Sequence, residues 1–248
     1  MIDIHSHILP SLDDGARSLD EAVAMLRMAK EAGTTDIVAS PHANRQFAFH
    51  PESVERAIAR LRAAAGDIPR IHYGCEMHLT PENMQDALRA PARYSIAHAG
   101  YLLVELSDSL IPRNAGDIFM RMLDAGMRPI LAHPERNPIL QARLHELEEW
   151  VASGCLTQIT AQSLSGGFGR PAKAAAQELL QRGMAHFIAS DAHDPKHRPP
   201  LLAEARETVE AAFGPETAAR LFSDNPRCCL QGMPVCASAP RRKRFRLW

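Results

Sequence analysis

Histidine and acidic residues recur in this chain at points where apolar segments end. The first are His5 and His7, which lie two apart in the stretch Asp3-Ile4-His5-Ser6-His7. Side chains two apart on a β-strand project from one face, so both imidazoles would point together from the end of a short opening strand. Converging neutral imidazoles are typical of metal ligands. For this motif alone, a chance His-x-His on a surface turn is the alternative interpretation.

The same residue types follow five of the six later apolar segments. Any one of them alone would be an ordinary ion-pair or loop residue, but together they predict a metal site. The nine candidate ligands are His5, His7, Asp14, His42, Glu76, Glu105, His133, Asp191 and His193.

Nine candidate ligands are more than one ion requires. With four or five ligands per ion and shared carboxylates, they suit two or three divalent ions. Imidazole mixed with carboxylate favours manganese, iron or zinc, and a set without cysteine argues against a structural zinc site. Ions held ~3.5–4 Å apart can share a hydroxide and clamp a phosphoryl group during in-line attack. The predicted chemistry is therefore hydrolysis of a phosphate ester by an activated water.

Two arginines follow the same segments. Arg136 lies three residues after His133, and Arg198 lies seven residues after Asp191. The planar guanidinium fork matches the geometry of phosphate oxygens. We predict that both arginines contact the phosphoryl group, with ordinary surface ion pairs as the alternative.

Seven short apolar segments alternate with helical segments along the chain. They are apolar throughout instead of alternating with polar residues, which predicts a parallel sheet covered on both faces. We predict an α/β fold with one closed or nearly closed (β/α)7 barrel, and an open doubly wound sheet is the alternative. The strands are predicted at residues 2–5, 36–40, 71–77, 101–106, 128–132, 155–160 and 186–190. Because the C-terminal strand ends of such a barrel share one face, the candidate ligands would meet there.

Helices are predicted by serine or threonine caps, by proline in first turns and by glycine after last turns. Their predicted ranges are 18–32, 51–65, a short helix from 80, 114–124, 142–153, 171–182, 201–213 and 215–222. Residues 163–169 are predicted to form a glycine-rich loop. Residues 1–235 are predicted to form a single domain, followed by a basic tail, residues 236–248, that we expect to be disordered.

Composition limits the class of protein. The chain has 248 residues, 46% hydrophobic and 23% charged, and a net charge of −1, which gives no general attraction for nucleic acid. No apolar run approaches the ~20 residues of a membrane helix, and Asp3 and His5 interrupt any signal-peptide core. Five cysteines suggest reduced thiols, which favours the cytoplasm.

A cysteine-based tyrosine phosphatase is disfavoured. Such enzymes need a cysteine and an arginine six residues apart around a phosphate cradle. Only Cys236 has an arginine at that distance, Arg242, and the pair lies in the tail without glycines, strand or helix to form a cradle.

Four motifs in order resemble those of the PHP (polymerase and histidinol phosphatase) superfamily. They are Asp3-Ile4-His5-Ser6-His7-Ile8-Leu9-Pro10 with Asp13-Asp14-Gly15, Ser40-Pro41-His42, Ala132-His133-Pro134-Glu135-Arg136, and Ser190-Asp191-Ala192-His193. Within the superfamily the chain resembles, over about residues 1–235, the manganese-dependent bacterial protein-tyrosine phosphatases of capsule and exopolysaccharide synthesis. The resemblance implies a distorted TIM-like barrel (the PHP fold). It also implies hydrolysis of phosphotyrosine on the tail of a cognate autophosphorylating tyrosine kinase.

The resemblance also implies a role for each candidate residue. It implies three ions, with Arg136 and Arg198 as the phosphate contacts. The implied groups are His5, His7, Glu76 and Asp191 for one ion, Asp14, His42 and His193 for a second, and Glu76, Glu105 and His133 for a third.

Other functions stay open from the sequence. A histidinol-phosphatase-like or other small phosphomonoesterase would use the same metal chemistry. A non-catalytic regulator could bind a kinase tail, although an intact ligand set argues against it. A polymerase-associated nuclease is disfavoured by the net charge of −1. The sequence predicts no particular oligomeric state.

Overall fold

The computed structural model describes residues 1–66 and 69–236. Of the predicted basic tail, residues 236–248, all but Cys236 lie outside the described residues. The boundary at residue 235 therefore stays a prediction. In the described part of the chain, no helix is both long and apolar enough to span a membrane.

Ten strands form two mainly parallel sheets among the described residues. They are β1 Ile2–Ser6, β2 Asp36–Ala39, β3 His42–Ala43, β4 Arg70–Tyr73, β5 Glu76–His78, β6 Ser95–Ile96, β7 Tyr101–Glu105, β8 Arg128–Ala132, β9 Leu156–Thr160 and β10 Phe187–Ala189. One sheet has the order β1-β2-β4 and the other β10-β9-β8-β7-β5-β3, and β6 pairs antiparallel with β7.

The two sheets close into a barrel where the first strand meets the last. Ser6 forms a parallel bridge with Ala192. The backbone N–H of His7 donates to the Ala192 carbonyl at 2.8 Å, and that of Asp191 donates to the His5 carbonyl at 2.9 Å. On the far side, the Ala97 N–H donates to the Tyr73 carbonyl at 2.8 Å. The predicted (β/α)7 barrel is confirmed, and the open-sheet alternative is wrong.

The second and third barrel strands are each broken in two. We predicted one continuous strand over 71–77, and this is wrong because the chain breaks at Gly74 and Cys75 between β4 and β5. A Cβ on Gly74 would lie 2.5 Å from Cγ1 of Val38, so only glycine allows this approach to β2. As a result β4 pairs with β2, whereas β5 pairs with β3 and β7, which distorts the barrel.

The helices cover the outside of the barrel. Two of them begin at the predicted caps, where Ser18 Oγ accepts from the Glu21 N–H and Thr80 Oγ1 accepts from the Asn83 N–H, both at 3.2 Å. The helices are α1 Leu19–Glu31, α2 Pro51–Ala65, α3 Pro81–Arg89, α4 Ala115–Asp124, α5 Pro138–Ala142, α6 Leu144–Ala152, α7 Ala161–Ser165, α8 Gly169–Gln181, α9 Ala203–Phe213, α10 Pro215–Ala219 and α11 Asn225–Leu230.

Two helical predictions need correction. The helix predicted over 142–153 is α6, and the short helix α5, which was not predicted, precedes it and is separated from it by Arg143. The loop predicted over 163–169 begins inside α7, and only Gly166, Gly167 and Phe168 remain to join α7 to α8. Both segments follow barrel strands, so the corrections concern the face where the candidate site lies.

Candidate metal centre

The structure brings all nine predicted ligands together at the C-terminal ends of the strands. Ligand atoms that lie within 4.8 Å of one another form four overlapping groups. The groups are His7, Asp14, His42 and His193; His5, His7 and Glu76; His5, His133 and Asp191; and His42, Glu76 and Glu105. Shared members join them into one continuous cluster.

His5 and His7 point the same ring nitrogen at each other. Their Nε2 atoms lie 3.2 Å apart. The Nδ1 of His5 is 2.9 Å from Gln158 Oε1, and the Nδ1 of His7 is 2.6 Å from Asp13 Oδ2. Because those oxygens only accept, each Nδ1 donates, and each neutral ring then carries a lone pair on Nε2. Metal-binding histidines are oriented in this way by acceptors on the outer nitrogen.

Three buried polar atoms in the centre of the cluster have no hydrogen-bond partner among the described residues. They are Glu76 Oε2, Asp191 Oδ1 and His42 Nδ1. Glu76 Oε2 lies 3.2 Å from His7 Nε2 and 3.0 Å from His42 Nδ1, and Asp191 Oδ1 lies 3.3 Å from His5 Nε2. A buried carboxylate oxygen without a donor costs roughly 1–3 kcal/mol or more. The donor set therefore fits divalent cations, which would satisfy all three atoms at once.

The buried ligands influence one another's protonation. Burial lowers the pKa of His7, but the Asp13 carboxylate and hydrogen bonds from the ring to the neighbouring acids outweigh it, so this pKa lies well above its usual value. Burial raises the pKa of Glu76, but His5 and His42 outweigh it, so this pKa lies well below its usual value. The carboxylates are thus ionised, and protons on the imidazoles balance them wherever a metal ion does not.

The loop after β1 supplies one ligand and one orienting residue. Asp13 accepts from the His7 ring and, at 3.1 Å, from the backbone N–H of His42. Asp14 Oδ1 lies 3.4 Å from Nε2 of both His42 and His193. A Cβ on Gly15 would lie 1.9 Å from the His7 carbonyl oxygen, so the loop reaches the cluster only with glycine there.

Two candidate ligands have left-handed backbone conformations. His133 has φ 32° and Asp191 has φ 52°, and each directly follows or nearly follows a barrel strand. Non-glycine residues in this region carry strain that clusters at functional sites. The turn brings His133 Nε2 to 2.9 Å from Glu76 Oε1.

Asp191 connects the cluster to both predicted arginines. Its Oδ1 faces His5, whereas its Oδ2 accepts from the guanidinium groups of Arg136 and Arg198. The Nε of Arg198 is buried and lacks a hydrogen-bond partner within the described ranges. The surface ion pairs that we considered as the alternative are not what the structure shows, and the phosphate-binding role stays a prediction.

Sequence reasoning missed the residues that orient the ligands. Strand β9 offered no obvious ligand, yet its Gln158 binds the His5 ring and accepts from the His133 backbone N–H at 3.3 Å. The available signal was one amide side chain in a strand otherwise made of leucine, isoleucine and threonine. Glu135 is buried and belongs to none of the four ligand groups, and its Oε1 accepts from Ser163 Oγ at 2.7 Å.

The contact groups differ from the ion grouping that the resemblance implied. His7 contacts the group of Asp14, His42 and His193 as well as that of His5. His133 contacts Glu76 as implied, but it also groups with His5 and Asp191. Glu105 groups with His42 and Glu76, and its Oε2 lies 3.3 Å from His78 Nδ1.

Comparison with known proteins gives consistent matches over nearly the whole chain. The model of the family described as "Capsular polysaccharide synthesis, CpsB/CapC" matches residues 1–231. The chain is 35% identical to tyrosine-protein phosphatase YwqE of Bacillus subtilis, covering 99% of each protein. It is 30% identical to tyrosine-protein phosphatase CpsB of Streptococcus pneumoniae, covering 92% of this chain and 97% of CpsB.

Solved structures agree with these matches. A chain from the crystal structures of YwqE and CpsB, described as unique metal-dependent tyrosine phosphatases, superimposes with a TM-score of 0.90 at 34% identity. The match covers 97% of this chain and 98% of that one. The phosphotriesterase homology protein of Escherichia coli, at 11% identity and a TM-score of 0.64, shares the barrel fold alone.

Proposed function

Because the chain belongs to the CpsB/CapC family of capsular polysaccharide synthesis, we propose that it is a metal-dependent protein-tyrosine phosphatase. The observation that carries this proposal is the double contact of Asp191. One of its oxygens faces the cluster of nine candidate ligands, and the other binds both Arg136 and Arg198. A cation site and a phosphate-binding site therefore share one side chain. The named activity of the relatives YwqE and CpsB selects tyrosine phosphate as the ester.

The candidate ligands would hold two or three divalent ions, which we propose are manganese. When bound, such ions supply an activated water as nucleophile and neutralise charge on the phosphoryl oxygens. His5 and His7 are held in the correct tautomer by Gln158 and Asp13, so their lone pairs are ready to bind. Our proposed ligand groups follow the contacts within the cluster, with His7 and Glu76 each belonging to two groups.

The arginines would bind and orient the phosphoryl group. Arg136 and Arg198 are each about a quarter exposed, at 24%, so they can reach a substrate while most of their surface is shielded from water. Partial burial strengthens their attraction for phosphate oxygens.

An aryl phosphate suits this set of residues. A phenolate leaves with a pKa of ~10, so it needs less help from a general acid than an alkoxide does. We propose that the substrate is the phosphotyrosine-bearing tail of a bacterial tyrosine kinase in the cytoplasm. In that role the protein would regulate capsule or exopolysaccharide synthesis.

The test is substrate preference of the metal-loaded full chain. Protein stripped with a chelator and reloaded with Mn²⁺ should hydrolyse a phosphotyrosine peptide with higher kcat/KM than histidinol phosphate or a phosphoserine peptide. Preference for histidinol phosphate would replace the proposal with a small-molecule phosphatase. Absence of turnover with measurable binding of a kinase tail would replace it with a regulator.

A matched pair of variants ties turnover to the site. Asp191→Asn removes the charge that joins ligands and arginines. Asp36→Asn removes a charge that pairs with Arg70 at 2.8 Å, at the start of β2, the opposite end of the strand from the ligands. Only Asp191→Asn should abolish hydrolysis.

A further inference from the structure

The geometry points to Phe168 as a positioning residue that holds Arg136 and Arg198 in place for phosphate. This inference rests on the proposed function, because it assumes that the arginines bind the phosphoryl group. Phe168 belongs to the glycine-rich segment between α7 and α8, which neither the metal cluster nor the barrel closure explains.

One aromatic ring lies against both guanidinium groups. The Cζ of Arg136 is 4.2 Å from the centroid of the Phe168 ring, and the Cζ of Arg198 is 5.6 Å from it. Both distances lie within the ~6 Å range of a cation–π interaction. Arg136 follows β8, Arg198 follows β10, and Phe168 lies on the connection that follows β9. Since β9 lies between β8 and β10 in the sheet, the ring lies between the two arginine-bearing loops.

The Phe168 ring offsets electrostatic repulsion between the two guanidinium groups. Both guanidinium groups bind the same oxygen, Oδ2 of Asp191, so two positive charges face one negative charge. Like charges this close repel each other, and attraction to a further group offsets part of that repulsion. The negative face of the Phe168 ring attracts both without offering a competing anion, which leaves their remaining donors available for phosphate.

The backbone around Phe168 is built to present the ring. Gly166 and Gly169 have φ values of +96° and +87°, which other residues adopt only with strain. A Cβ on Gly167 would lie 3.3 Å from the carbonyl oxygen of Gln162. The Nε2 of Gln162 donates to the His197 carbonyl at 2.9 Å, so α7 is tied to the segment that carries Arg198.

The experiment distinguishes an effect of Phe168 on the positions of the arginines from a direct contact between Phe168 and the substrate. Phe168→Leu keeps an apolar side chain but removes the ring face, and Phe168→Tyr keeps the face. Phe213→Leu, at the end of α9 where Phe213 packs against the apolar core, controls for loss of a partly buried phenyl ring. The readouts are calorimetric binding of inorganic phosphate to the Mn²⁺-loaded protein, kcat/KM on a phosphotyrosine peptide, melting temperature and metal content.

We expect Phe168→Leu to weaken phosphate binding roughly tenfold, the scale of one or two cation–π contacts, and to lower kcat/KM by a similar factor. Phe168→Tyr should retain most of the phosphate affinity and most of the kcat/KM of the wild type. Phe213→Leu should leave phosphate binding unchanged. Added to Arg136→Ala/Arg198→Ala, the Phe168→Leu change should have no further effect, because the ring acts through the arginines.

Several results would overturn the inference. Unchanged phosphate binding in a folded Phe168→Leu protein would do so, whether or not peptide turnover falls. A fall in peptide turnover alone would mean that the ring contacts the substrate tyrosine instead. Failure of the wild type to turn over peptide would refute the proposed function, while phosphate binding would still decide the role of Phe168. Absence of phosphate binding by the wild type would overturn the inference about Phe168, while peptide turnover would still decide the proposed function.

Discussion

The Nε2 atoms of His5 and His7 face each other at 3.2 Å, while each Nδ1 is engaged by an acceptor, Gln158 or Asp13. If both rings are neutral, the lone pairs on their two Nε2 atoms point at each other. The repulsion is relieved only by a cation between them or by protonation of a ring. Metal binding and proton binding at this pair are therefore mutually exclusive, and each opposes the other.

The first prediction is that metal affinity falls as the pH is lowered. Neighbouring carboxylates outweigh the effect of burial and raise the pKa values of His5, His7 and His42, so below these values the metal-free rings carry protons. Each proton that Mn²⁺ must displace should weaken apparent binding by up to roughly tenfold per pH unit. Calorimetric titration of chelator-stripped protein at pH 8 and pH 6, in buffers of different ionisation enthalpy, measures both affinity and proton release. Equal affinity at both pH values would refute the prediction.

The second prediction concerns Asp191→Asn. The asparagine amide carries no negative charge, so it cannot replace the carboxylate oxygen Oδ1 that faces His5. It also leaves Arg136 and Arg198 without the anion that they share. Metal content should fall by at least one ion, and turnover should be nearly lost, because uncompensated buried charge is costly. Elemental analysis and peptide hydrolysis are the measurements, with Asp36→Asn as the control. Full metal content with near-normal turnover would contradict the expectation.

The third prediction concerns single substitutions of Arg136 and of Arg198. Arg136→Ala or Arg198→Ala should lower kcat/KM by roughly two to three orders of magnitude, about 3–4 kcal/mol, the scale of a single charge-stabilising donor. Lysine should rescue only in part, since an ammonium cannot reproduce the fork. Arg70→Ala is the matched control, because Arg70 is 78% exposed and pairs with Asp36 at the start of β2. Unchanged kinetics in both site variants would remove the arginines from the proposed site.

The fourth prediction is that a thiol reagent leaves activity intact although a chelator abolishes it. Cys236 is exposed, and iodoacetamide should label it. Cys75, next to Glu76, is buried, and burial raises the pKa of its thiol well above the usual value, which keeps it unreactive. Mass spectrometry locates the label, and Cys236→Ser serves as the unlabelled control. Inactivation that phosphate protects against would revive a cysteine mechanism.

The fifth prediction concerns acid stability at a position away from the metal ligands. Burial lowers the pKa of His186 to about 4, whereas the unfolded chain keeps about 6.5. A depressed folded pKa means that the stabilisation is complete above pH 6.5 and is lost as the pH falls towards 4. The loss should be about 3 kcal/mol.

His186→Asn tests this loss without removing the acceptor for the Thr157 N–H, which lies 3.2 Å from His186 Nδ1. Denaturant unfolding of metal-free protein at pH 7, 5.5 and 4 gives the free energy of unfolding. The variant should lose less stability than the wild type over this range. Parallel curves for the two proteins would contradict the prediction.

The barrel and the convergence of the ligands could be predicted from the sequence because both depend on local rules. Apolar segments such as residues 129–132 favour buried strands of a parallel sheet, and polar residues that follow parallel strands meet at one face. The break at Gly74 could not be predicted, since it arises from contact with Val38 on another strand.

The orienting residues of the site were equally out of reach. Gln158 is a polar residue in a buried part of its strand, but its role depends on the position of His5, which is 153 residues away in the chain. Asp13 and Asp14 are adjacent, and only the turn at Gly15 decides that Asp13 binds the His7 ring while Asp14 faces His42. Such choices are set by tertiary contacts and not by residue type.

The closure of the barrel between its first and last strands determines when the site can form during folding. His5 and His7 lie on one side of this junction and Asp191 and His193 on the other, joined by the His7–Ala192 and Asp191–His5 backbone hydrogen bonds. During synthesis His5 and His7 are made first, but the set of nine candidate ligands is complete only once residue 193 has been added. Ring closure over so long a segment is entropically slow. Bound metal would fasten the two ends of the barrel together, so metal loss should lower the barrier to unfolding first at this junction.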